Sequence, residues 1–183
     1  MLVGFFGTLY FLGFLISSLF FPPLSDKIGR LKMFLIGSVV QLFTFLIMLY
    51  VKNLSVQYLM VFILGLSQPV KSMIAYTHLM EFMTDRESRV SGTFMCIDGL
   101  VYVVSPLIDE YLTNDLNFFI QVAATLCFIS IIIFKIIKVP ESMKFLLVNG
   151  KSEEFWKAFE SLQRYNKAAE SKVEELRKLV ANY

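Results

Sequence analysis

The stretch Leu2–Lys32, LVGFFGTLYFLGFLISSLFFPPLSDKIGRLK, decides the architecture of this chain. Nothing from Met1 to Ser25 is charged. A helix needs about 20 mainly apolar residues to cross a hydrocarbon core of roughly 30 Å, and Leu2–Leu24 meets that length. A secretory signal peptide would open on basic residues and hold an apolar region of about 7–15 residues, so the segment reads as a retained span. Charge then arrives abruptly, as Asp26, Lys27, Arg30 and Lys32.

The same pattern recurs four times, at Met33–Val51, Gln57–Met80, Val90–Ile108 and Leu116–Phe134. Composition agrees: 56% of the 183 residues are hydrophobic and 17% charged, against roughly 45–50% and about 25% in soluble domains. The expected fold is an all-α membrane protein, with a five-span bundle over residues 1–138 and an inner-side amphipathic tail over 139–183. That tail holds 15 of the 32 charged side chains.

Basic residues stay on the side from which a membrane protein is inserted. Fifteen of the 17 lie in the first and third loops and from Lys135 onward, whereas Lys52 lies opposite and Lys71 lies within a span. The expected topology is N-terminus outside and C-terminus inside, in a plasma or an organelle membrane such as the mitochondrial inner membrane. A net charge of +2 without a basic cluster is too small to argue for nucleic acid, and no nucleic-acid partner is expected. Cys96 and Cys127 fall in apolar runs, which suggests neither a disulfide nor a metal site. With no phosphate-binding Gly-rich loop, no His-Glu-x-x-His and a single His, the chain reads as no enzyme, without metal or cofactor.

Ionisable groups inside spans cost about 2.5–3.5 kcal/mol on insertion scales and are functional-site candidates by default. Lys71 precedes Glu81 by ten residues and Asp98 follows Arg89 by nine; at 1.5 Å per residue each sits roughly 14–15 Å from the inner face. The two spans run antiparallel, so Lys71 and Asp98 are expected to pair or to share a hydrated cavity, either to dock two helices or to form a substrate or proton site. Gln68 and His78 share a face with Lys71, and Tyr102 shares one with Asp98. His78 is expected to serve helix packing or the interface rather than proton relay. Pro69 is expected to kink its helix, with Ser67 or Gln68 satisfying the backbone group it frees.

In the tail, Ser152 can cap a helix carrying Glu153 and Glu154 in its first turn, and Phe155, Phe159 and Leu162 recur at helical spacing. Val173, Leu176 and Val180 continue a similar stripe after a polar interruption. Two short amphipathic helices follow. They rest as a solvated pair on the inner ends of the spans, or they form a docking surface anchored by Phe155, Trp156 and Phe159.

Three motifs remain. The loop Pro22–Lys32, PPLSDKIGRLK, is a tight turn in which Gly29 permits a sharp backbone and Asp26 sits near the positive end of the following helix; Arg30 and Lys32 can reach lipid phosphates. Its order Asp-Lys-x-Gly-Arg resembles the signature loop between the second and third helices of the major facilitator superfamily. AYTHLMEF at residues 75–82, followed by Arg89, is similar to the end of the fourth helix in the organic cation and anion transporter branch. VPESMKFLL at residues 139–147 resembles the stretch after the sixth helix in that branch and in sugar porters. In order and at the expected distances, the three assign the spans to helices two through six. The resemblance implies an inner-face charge network drawn from Asp26, Arg30, Glu81, Arg89 and Glu141, flanked by Gly29, Pro140 and Ser142. Pro22, Leu31, Val61, Met143 and Lys144 depart from the family pattern.

Transporters of this kind rock two six-helix halves about a midplane site. Five spans supply most of one half and no opposite wall for a cavity. The chain is therefore expected to act as an accessory or structural subunit among other membrane-protein subunits in the lipid bilayer. The alternative is a fragment or half of a working transporter for a small solute, an organic ion or a sugar.

Overall fold

The computed structural model describes residues 2–82, 87–111, 115–137 and 141–166. They form seven helices: α1 (Leu2–Ile28), α2 (Arg30–Tyr50), α3 (Leu54–Phe82), α4 (Glu87–Tyr111), α5 (Leu116–Ile137), α6 (Met143–Val148) and α7 (Ser152–Asn166). The first five are long and apolar enough to cross a membrane. All five expected spans are present, most of them longer than the uncharged runs. A charge ends the apolar stretch, but the backbone hydrogen bonding of α1 continues through Pro22, Pro23 and Asp26 to Ile28.

Two compact units emerge, Met1–Val139 and Pro140–Tyr183. In the first, α3 is the central element, packed against α1 and α2, while α2 in turn packs against α5. Small residues set the closest approach. A Cβ on Gly65 would strike the carbonyl oxygen of Tyr10, and one on Gly13 would strike that of Phe62, so α1 and α3 meet backbone to backbone. Ser17 Oγ donates across this contact to the Leu66 carbonyl at 2.5 Å. Between α2 and α3, Gly37 faces Val70, and Met33, Val70 and Ile74 form an apolar cluster flanked by Phe21 and Phe34.

Polar side chains share the interior with apolar ones, and large apolar side chains cover the outside. Ser17, Ser38, Gln41, Thr44, Ser67 and His78 are buried, whereas Phe11, Phe20, Leu126 and Ile136 are more than 60% exposed. Helix interfaces lined by small and polar residues, with large apolar side chains outside, are the arrangement that lipid imposes, because lipid tails are as apolar as Leu. This is a multi-pass integral membrane protein.

The second unit closes on Phe145, Leu146, Phe155 and Ala158, with Trp156 packed against them. Ser142 Oγ accepts from the Phe145 N–H at the start of α6, which satisfies one of the donors a helix start leaves open. Ser152 is the first helical residue of α7 rather than the residue capping it. The second expected tail helix, Val173–Val180, lies outside the described residues.

Candidate functional site

The charge-bearing seam is split. Lys71, half-buried on α3, turns its ammonium toward α5, where Nζ lies 3.8 Å from Cys127 Sγ. Asp98 stands exposed on α4 and makes no hydrogen bond or ion pair with a described residue. The expected pairing is therefore not formed, and the reason is geometric. Depth along a span fixes the height of a charge, but azimuth and helix separation decide whether two charges meet. α4 joins α3 toward the C-terminal end of α3, where Tyr76 Oη and Ser91 Oγ are 2.9 Å apart and the Tyr76 ring lies 5.5 Å from that of Phe94. From Met95 to Leu107 every residue of α4 is exposed.

Around Lys71, three helices instead contribute a partly buried polar cluster, of which the sequence singled out Lys71 and Gln68. Cys127 Sγ donates to the Ser38 carbonyl at 3.4 Å. Gln41 Nε2 donates to Gln68 Oε1 at 3.2 Å, joining α2 to α3. Ser38, Gln41 and Thr44 are buried along one face of α2, while Gln68 and Lys71 answer from α3. Their spacing of three was the available signal: polar residues recurring at one helical face inside an apolar run. Cys127 gave none, because nothing local to α5 says which neighbour it meets. A thiol supplies no countercharge for an ammonium, so Lys71 is held by a weak hydrogen bond in a region where ionised groups normally find a partner.

Pro69 interrupts neither α3 nor its polar face. Ser67 Oγ donates to the Leu64 carbonyl and Gln68 pairs with Gln41. Neither side chain serves the Gly65 carbonyl that the proline leaves without its usual N–H donor. His78 is buried four residues before the end of α3. Tyr102 is 74% exposed on α4.

Gly29, which joins α1 to α2, has φ 112°, a backbone conformation that side-chain-bearing residues rarely adopt. Arg30 Nη2 bonds Asp26 Oδ1 at 3.3 Å. Pro22, Ser25, Asp26 and Arg30 line a small cleft together with Met73 and Thr77 of α3. Arg89 is exposed and Glu81 is helical, but the Glu81 side chain and the whole of Pro140 lie outside the described residues. Glu141 is half-buried and Ser142 fully buried in the second unit. Phe155, expected as a docking anchor, is buried in that unit's own core, and Trp156 and Phe159 are half-buried beside it.

A search of curated proteins returns no significant match. The family model of the Major Facilitator Superfamily matches residues 1–177. With apolar spans, a polar helix-packing interior and a match over nearly its whole length, the chain belongs to the Major Facilitator Superfamily.

Proposed function

We propose that the five-span unit works as one component of a larger membrane assembly, in a structural or accessory role, and does not transport a solute by itself. The observation that carries this reading is α4. No residue of Ser91–Tyr111 is buried, although the helix carries Asp98 within the span, so among the described residues nothing buries the face that carries it. The basic-residue asymmetry supports an orientation with the N-terminus outside and the C-terminus inside. The protein should therefore be isolated from its native membrane in a mild detergent and its companions identified. Membrane subunits of unrelated sequence are the expected finding. A particle holding this chain alone, or this chain with a matching second half, contradicts the accessory role.

A second reading, that the unit forms one wall of a solute pathway of the organic-ion or sugar-porter type, is favoured by Lys71, whose half-buried ammonium has no carboxylate partner among the described residues. Lys71→Met separates the two. Loss of solute uptake with the assembly intact supports the pathway, and unchanged uptake removes it.

A further inference from the structure

The polar side chains of α4 form a stripe. Ser91, Asp98, Tyr102, Ser105 and Asp109 follow one another at steps of seven, four, three and four, which keeps them on one helical face. The opposite face is Cys96, Leu100, Val103 and Leu107. Ser91 is taken by Tyr76, but Asp98, Tyr102 and Ser105 beyond it are exposed. At 1.5 Å per residue, Asp98 lies about 16 Å from Glu87 and about 20 Å from Tyr111, too deep for its short side chain to reach either interface. Lipid suits the opposite face and not this one.

We infer that the Asp98 face of α4 is a docking surface for a separate membrane helix that presents a Lys or Arg side chain at the depth of Asp98. This rests on the reading of the unit as an assembly component and names the chemistry of the partner. Charge complementarity selects the occupant: a carboxylate in hydrocarbon is relieved by a cation with further hydrogen-bond donors, and Tyr102 and Ser105 offer the flanking polar contacts. A second copy of this chain does not fit. A two-fold contact through α4 sets Asp98 against Asp98, because the same patch faces itself, and Lys71, the Lys placed away from the ends of a span, is turned toward Cys127.

The test compares wild type, Asp98→Asn, Asp98→Lys and, on the opposite face, Leu100→Asn, each isolated in lipid nanodiscs from the native membrane and weighed by native mass spectrometry. The assembled fraction is expected to fall several-fold in Asp98→Asn and at least tenfold in Asp98→Lys, and to stay within twofold of wild type in Leu100→Asn. Retention of the assembly in Asp98→Lys overturns the inference and leaves the component reading standing. Equal loss in Leu100→Asn overturns it too, since polarity alone then explains the effect. A wild-type partner with the mass of this chain identifies a second copy and overturns the separate helix. A wild-type chain with no companion refutes the component reading itself.

Discussion

Gly29 and Gly65 exclude a side chain for different reasons. At Gly29 the constraint is torsional, since φ is 112°; Gly29→Ala should cost about 1–3 kcal/mol, seen as a lower midpoint of thermal unfolding in detergent. At Gly65 it is contact, because a Cβ would strike the Tyr10 carbonyl oxygen; Gly65→Ala should push α1 from α3 at about 1–3 kcal/mol, and a midpoint equal to wild type would show that the helices simply slide apart. The role of Gly29 was legible in the sequence because a turn between two spans constrains one residue's own torsions. The cluster of Ser38, Gln41, Gln68, Lys71 and Cys127 was not, since three separate helices must first be rotated into place. Azimuth likewise decides whether Lys71 and Asp98 meet: spacing along two helices cannot supply it, and the direct pair is not formed.

Helices were easier to read than their surroundings. A run of about 20 uncharged residues has few alternatives to a spanning helix in lipid, where every backbone polar group must be satisfied internally. Their ends were less legible, because hydrogen bonding ignores the charge that ends an apolar run. In the second unit the amphipathic pattern of α7 correctly marked an apolar face but not what covers it: α6 does so, through Phe145 and Leu146. Phe155→Ala should therefore act on the unit itself, removing about 3–5 kcal/mol of packing. Hydrogen exchange of α6 and α7 amides should accelerate while the spanning helices keep their protection. Unchanged exchange would mean that Phe155 contributes little to this core.

At the scale of the molecule, exposed apolar spans and superfamily membership make this a transporter-like membrane protein, and α4 is its least covered span. Four spans have neighbours that bury part of their surface, and the remaining one, α4, meets α3 chiefly at one end. Protein, not lipid, is proposed to cover the polar face of α4 in the native membrane. Cys96, exposed on the opposite face, and a Cys introduced as Tyr102→Cys with Cys96→Ser allow both faces to be read by nitroxide labels, with Cys127 buried and out of reach. The direct measurement is the collision rate of each label with dissolved oxygen, which concentrates in the hydrocarbon core. The expected result is a label at position 102 shielded several-fold relative to one at Cys96; equal and high accessibility at both positions would contradict it.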